Sequence, residues 1–255
     1  GLAKLGDASG AAPIEAVMGK GAPAARVIAV EAYLRLAESL AARGDKAAAL
    51  GIYKKMLASE GHLKCAAIIG LGRSGSAGDL PTLLDALADQ DAKVRGACVE
   101  ALCLLEGKDV TTAIAAKVRT PKPETKLALL QALARRGDKS TASIFMAAAE
   151  DADEAVRAAA LAGLGTVGNP SAVPVLLKAA AASGPPQEAA RQSLQCLPGA
   201  DIDKALLGAM DEQDPKTRVE AIRALAARHV VAATRPLLRA AEDADGGVRN
   251  ESLKA

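Results

Sequence analysis

Along DADEAVRAAALAGLG, residues 151–165, small and apolar side chains return three and seven positions after Arg157, at Ala160 and Leu164. Residues three, four and seven apart share one face of a helix, so the segment predicts an amphipathic helix rather than a strand. Close relatives of the segment recur as DQDAKVRGACVEALC at 89–103, DEQDPKTRVEAIRALA at 211–226 and DADGGVRNESLKA at 243–255. With the basic residue of each taken as an anchor, the anchors fall at Arg26, Lys64, Arg95, Lys126, Arg157, Ala190 (with Arg191 beside it), Arg218 and Arg249. The intervals between them are 38, 31, 31, 31, 33, 28 and 31 residues, a period that marks stacked repeats.

Each unit carries the same design. A small or apolar residue stands three after the anchor (Ala67, Cys98, Leu129, Ala160, Ala221), and a leucine stands seven after it (Leu71, Leu102, Leu133, Leu164, Leu197, Leu225). Four units place aspartate four residues before the anchor, at Asp91, Asp153, Asp214 and Asp245. A carboxylate there accepts from the free amides of a helix's first turn and meets the positive end of its dipole. Glycine is expected to end several of these helices, as at Gly72 and Gly165. A second amphipathic helix follows, with paired apolar residues nineteen and twenty past the anchor: Leu83–Leu84, Phe145–Met146, Leu176–Leu177 and Leu237–Leu238. Pro81, Pro174 and Pro236 fall near its start, where a missing N–H is tolerated.

The irregular intervals predict local changes only. The 28-residue unit reads as having lost three residues from the turn between its helices, and the 33-residue interval lengthens a link through ASGPPQ. The 38-residue interval lengthens a first helix by about two turns, keeping Tyr33 and Leu40 on one face. A two-helix unit cannot bury its stripe alone, so neighbours must stack. The fold class expected is all-α, one right-handed α-solenoid of antiparallel hairpins over 1–255. It divides into a partial repeat at 1–20, a long unit at 21–59, six units at 60–243 and a partial repeat at 244–255. GLAKLGDASGAAP at the start reads as the end of a helix and VRNESLKA at the finish as half of one, so the chain reads as a piece of a longer protein with apolar helix faces open to end-to-end self-association.

Composition narrows the chemistry. Half of the 255 residues are hydrophobic, yet the aromatics are Tyr33, Tyr53 and Phe145 alone, so the core is alanine, leucine and valine. The formal charge of +2, without tryptophan, argues against a nucleic-acid footprint. No run of eighteen apolar residues predicts a membrane span. Cys65, Cys98, Cys103 and Cys196 lack metal-site spacing and are expected to be buried or half-buried free thiols. His62 and His229 are expected at loop or helix ends.

The repeat D-x-x-V-R-x-x-A-x-x-x-L-G, followed by a leucine-rich helix as in DEAVRAAALAGLG…AVPVLLKAA, resembles HEAT repeats of the short bacterial class named after phycobilisome-lyase proteins. The longer unit, YLRLAESLAARGDKAAALGIYKKMLA, is similar to a tetratricopeptide hairpin. The resemblance implies second helices lining a concave face, protein partners, no cofactor and a non-catalytic scaffold or spacer. The alternative is a helical subunit or appendage of an enzyme, chromophore-lyase-like or attached to a sugar-processing domain. A di-iron hydroxylase of this class needs His-Glu pairs, and neither histidine is followed by glutamate. The scarcity of aromatics weighs against a tetrapyrrole site and against a glycosylase channel.

Two charge features are candidates for function. Residues 108–139 hold eight basic against three acidic side chains around KVRTPKPETK, which reads as a solvated face or as a docking patch for an acidic partner through Lys117, Arg119 and Lys122. Exposed positions of second helices, Asp85, Lys117, Lys178, Arg235 and Arg239, are further candidate partner contacts. The pairs Asp91 and Arg95, Asp153 and Arg157, Asp214 and Arg218, and Asp245 and Arg249 read as a structural ladder, each arginine bonded to a cap aspartate of its own or the adjacent repeat.

Overall fold

The computed structural model describes residues 7–120 and 122–255, and every regular element within them is helical. The helix end expected in the first six residues lies outside the described residues. The chain divides into two compact units, Gly1–Ala116 and Lys117–Ala255.

The first unit holds α1 (Ala11–Lys20), α2 (Pro23–Ala42), α3 (Lys46–Met56), α4 (Gly61–Ser74), α5 (Leu80–Ala86), α6 (Ala92–Leu104) and α7, which begins at Lys108 and ends at Lys117. The second holds α8 (Pro123–Arg136), α9 (Ala142–Ala148), α10 (Glu154–Val167), α11 (Val173–Ala180), α12 (Pro185–Cys196), α13 (Ala200–Ala209), α14 (Pro215–Ala227), α15 (Thr234–Ala240) and α16 (Gly246–Lys254). First helices pack on one another in sequence, α4 on α6 and, in the second unit, α8, α10, α12, α14 and α16 in a row. Their second helices lie alongside, α5 against α6 and α11 against α12.

The periodic residues form the core. Leu71, Leu102, Leu133, Leu164, Leu197 and Leu225 are fully buried, as are Ala67, Cys98, Leu129, Ala160 and Ala221. Of the second-helix pairs, Leu83, Phe145, Leu176 and Leu177 are buried, as is Leu206 on α13, whereas Leu237 is half-buried and Leu238 exposed. The 20-residue α2 carries the lengthened stripe, with Tyr33, Leu36, Ala37 and Leu40 all inside. Asp45, Asp91, Asp153, Asp214 and Asp245 each cap a helix, accepting from a backbone N–H two or three residues on. His229 adopts φ +54° just past α14, and its successor Val230 bonds back to the Leu225 carbonyl, a left-handed helix ending usually given to glycine.

Gly72 and Gly165 do not end their helices, which run on to Ser74 and Val167. They let first helices touch. A methyl group on Gly72 would lie 2.5 Å from Cα and 2.6 Å from the carbonyl oxygen of Ala101 in α6, and one on Gly165 would lie 2.8 Å from Oγ of Ser193 in α12. The glycines two residues earlier do the same toward the preceding second helix: Gly70 lies under the Tyr53 ring and Gly163 under the Phe145 ring. In each Gly-Leu-Gly triplet the leucine is buried and the glycines admit neighbours on either side.

The 28-residue unit also departs from expectation. Its shortening takes the last turn of the first helix and not the link alone: α12 stops at Cys196, and Leu197 is extended (φ −63°, ψ 116°). Pro198 causes this, since the residue before a proline is driven out of the helical region. Cys196 is therefore exposed at a helix end, correcting the buried or half-buried placement, whereas Cys98 is buried and Cys65 and Cys103 are half-buried.

A Gly72→Val change should destabilise the protein by about 1–3 kcal/mol, because the added atoms meet backbone that cannot turn aside. Gly96→Ala, at an exposed position of α6 with open space around it, should instead stabilise by about 0.5–1 kcal/mol. Denaturant melts of the two variants measure both.

Candidate functional site

The anchor residues are held in two ways. Nη1 of Arg95 donates to the carbonyls of Asp89 and Gln90, both at 2.8 Å, and Nη1 of Arg157 to those of Asp151 (2.8 Å) and Ala152 (2.9 Å). Arg218 and Arg249 repeat the arrangement on Glu212 and Gln213 and on Asp243 and Ala244. Each arginine thus clamps the turn that leads into its own helix. None bonds a cap aspartate, because that carboxylate already accepts from the first-turn amides and faces along the helix axis. This corrects the expected pairing of Asp91, Asp153, Asp214 and Asp245 with Arg95, Arg157, Arg218 and Arg249.

The acceptors that join repeats are aspartates two residues before the caps. Nζ of Lys64 on α4 lies 2.6 Å from Oδ2 of Asp89, which precedes α6. In the second unit Nζ of Lys126 on α8 lies 2.6 Å from Oδ2 of Asp151, and Nη2 of Arg218 on α14 lies 2.9 Å from Oδ1 of Asp243. The other oxygen of Asp89 and of Asp151 accepts from the backbone N–H of the cap residue, whereas Oδ1 of Asp243 accepts from both Arg218 and the Asp245 amide. Each carboxylate therefore fastens its own turn and the preceding helix together. The Lys64 and Lys126 hydrogen bonds hold Asp89 and Asp151 below the usual carboxylate range, and the Asp245 amide followed by Arg218 does so for Asp243.

The spacing-altered units substitute other contacts. Arg191 grips Glu220 through Nε (2.8 Å) and Nη2 (2.6 Å), and Arg223 joins Glu220 to Glu251. Glu220 is 4% exposed, so its two guanidinium partners are what make burial of that charge tolerable. Arg228 reaches back to the carbonyls of Leu194, Gln195 and Leu197 and pairs with Asp203 at 2.7 Å, closing the end that Pro198 leaves open on α12. In the first unit, Lys54 pairs with Asp79 at 2.7 Å, and Glu15 accepts from Tyr33 and Lys55. Asp79 lies below its ordinary value: burial raises it, and the Lys54 and Ser76 hydrogen bonds outweigh that. Burial pushes the Cys98 thiol up to about 12, which makes it an inert core residue. Among the described residues no group of three or more His, Cys, Asp and Glu side chains is placed to hold a metal ion.

The candidate contact residues are all exposed: Asp85 on α5, Lys117 closing α7, Arg119 and Lys122 before α8, Lys178 on α11, and Arg235 and Arg239 on α15. Within the basic run, Lys126 is engaged by Asp151. Lys178 pairs with Glu150 at 3.2 Å, both largely exposed. Among the described residues, Arg235 and Arg239 make no side-chain hydrogen bond or ion pair. Two grooves lie nearby, and Arg239 lines the smaller of them. A groove of ≈330 Å³ runs between α11 and α13, lined by Pro174, Leu177, Lys178, Ala205 and Gly208 among others. A second, of ≈160 Å³, lies between α13 and α15, lined by Leu207, Met210, Pro236, Arg239 and the acids Asp211 and Asp243.

A carboxylate whose folded-state pKa is lowered stabilises above its ordinary value and loses that contribution as pH falls through the lower one. Asp89→Asn should therefore reduce the melting temperature at pH 7, and the deficit should shrink below about pH 4, where the parent carboxylate also becomes neutral. Paired thermal melts at neutral and acid pH give the result.

Residues 110–195 match the family model for HEAT repeats. No curated protein sequence matches the chain. Kap95p, in a structure in which its binding induces the switch loops of RanGDP to adopt the GTP-bound conformation, has a TM-score of 0.52 at 14% identity, covering 96% of this chain and 38% of that one. Kap95 in the Kap95:Nup1 complex has a TM-score of 0.50 at 12% identity, covering 94% and 41%. The CpcE–CpcF complex of phycocyanin lyase from Nostoc sp. PCC7120 has a TM-score of 0.36 at 20% identity, covering 69% and 96%. Two of these matches thus span well under half of the solved chains. Residues 110–195 are similar to HEAT repeats, and the described residues form an all-helical fold of the kind seen in Kap95p.

Proposed function

We propose that the chain is a non-catalytic protein-interaction scaffold whose docking face is formed by the second helices α11, α13 and α15. The observation that carries this reading is the pair of consecutive grooves between those helices, bordered by Lys178 and Arg239. Grooves of this shape suit side chains from a partner's helix or extended segment, with the cations setting orientation more than affinity. Kap95p and the Kap95:Nup1 complex, which share the fold, are protein–protein complexes. That supports the reading for this chain.

Gly208 gives a clean test, because a Cβ there meets nothing within 4 Å and the residue lines the larger groove, so a leucine grows into that groove. Gly208→Leu and Arg239→Glu should each lose a partner captured from cells by the parent protein, with unchanged helical content. A partner retained by both variants would contradict the assigned face.

A second reading, self-association through the last hairpin, has its own observation. The residue four past the anchor is buried in each of six repeats (Ile68, Val99, Leu130, Leu161, Leu194, Ile222), whereas Leu253 is 75% exposed beside Leu238 at 68%. Sedimentation should show concentration-dependent association that Leu253→Lys abolishes. A monomer at high concentration would exclude it.

A further inference from the structure

Among the described residues of the second unit, the cross-link between repeats is missing at Arg157, and a pocket stands there. Lys126 and Arg218 each reach an aspartate six residues before the next anchor. For Arg157 the next anchor position is Ala190, and six residues before it stands Gly184, with φ +92° and no side chain. The link is braced instead by Gln187, whose Nε2 donates to the carbonyls of Ala180 (3.0 Å) and Ala182 (2.6 Å).

Arg157 is otherwise prepared like Arg218. Both use Nη1 to clamp two turn carbonyls, at 2.8–2.9 Å for Arg157 and at 2.9 and 3.1 Å for Arg218. Arg218 then offers Nη2 to Asp243, whereas among the described residues the Nη2 and Nε groups of Arg157 have no partner. Arg157 lines a pocket of ≈230 Å³ with Lys178, Ser183 and the apolar Leu161, Val175 and Pro186. The acids facing it are Glu150, already paired with Lys178, and Glu154, whose Oε1 lies beside Gly184. Acidic surroundings do not prevent such docking here, since Asp243 binds Arg218 while sitting two residues from Asp245.

We propose that this pocket takes an aspartate side chain from an acidic peptide segment of a partner, which completes in trans the cross-link that Gly184 leaves unmade. The guanidinium supplies a charge-assisted hydrogen bond in a fixed direction, because its other edge is clamped. The apolar walls accept the small residues next to that aspartate. The sequence alone assigns Arg157 to stacking, whereas Nη1 holds its own turn and Nη2 is left to bind.

The chain contains its own probe, since AEDADGG at 241–247 is the segment that presents Asp243 to Arg218. The acetylated, amidated heptapeptide should move the Arg157 side-chain Nε resonance saturably, with a dissociation constant on the order of millimolar. The peptide with asparagine at the Asp243 position should bind at least about 10-fold more weakly, the loss expected for a charged hydrogen bond. Arg157→Gln should abolish the response. Because that change also frees the turn, Ala182→Leu, which fills the pocket mouth from an exposed link residue and leaves the clamp intact, should abolish it as well. No saturable shift up to about 10 mM peptide, equal affinity for the asparagine peptide, or binding that survives either variant would overturn the proposal. Gly208→Leu should leave this binding unchanged, so the pocket and the second-helix face can fail separately.

Discussion

Everything in this molecule depends on how closely one first helix can approach the next. A helical hairpin of about thirty residues has an apolar stripe on each helix and too little surface of its own to cover both. The stripe becomes core only when the neighbour's backbone arrives at near contact, which is why Gly72 meets Ala101 and Gly165 meets Ser193 where any side chain would intrude. Alanine-rich composition serves the same end. Small residues let helices pack with short separation, and the aromatic rings of Tyr53 and Phe145 fit only because Gly70 and Gly163 stand under them.

Close approach fixes distance but not register, and the polar contacts set register. A carboxylate at the head of one first helix ties its own turn and receives the cation of the preceding helix, so a sliding or rotated neighbour would break two kinds of bond at once. Where the spacing changes, the device changes with it. Arg191, Glu220, Arg223 and Glu251 form a guanidinium–carboxylate chain across α12, α14 and α16, and Arg228 closes the shortened α12 from the next repeat. Among the described residues of the second unit, only at Arg157 is the acceptor replaced by glycine with no protein substitute for the guanidinium's free edge. The same grammar that stacks the repeats therefore leaves a binding edge where it is interrupted.

The fold was legible because its signal is repeated: the anchor-plus-three and anchor-plus-seven positions place the core without any long-range information, and the aspartate four before the anchor marks the helix start in four units. What sequence reading missed depends on neighbours. DQD, DAD and DAD at 89–91, 151–153 and 243–245 each hold two aspartates, and periodicity cannot say which caps and which crosses over. Local geometry decides, because the second is consumed by the first-turn amides. Gly72 and Gly165 looked like helix ends for a related reason, since a glycine after a leucine reads the same whether it ends a helix or admits another. Glu220 carried a faint signal, the glutamate two past the anchor that recurs as Glu251, but its partners lie in adjacent repeats. The grooves between α11, α13 and α15 arise from packing and have no signature in the chain.

The central claim is that consecutive hairpins are energetically coupled through the cation–aspartate cross-links, not merely adjacent. A double-mutant cycle on Lys126→Met and Asp151→Asn in the second unit isolates that coupling from the separate effects of each change. The pair lies 2.6 Å apart with side chains 20% and 16% exposed, shielded enough from solvent for a coupling on the order of 1 kcal/mol. Two changes that simply add would mean that the bond holds nothing, and that apolar contact alone aligns the repeats.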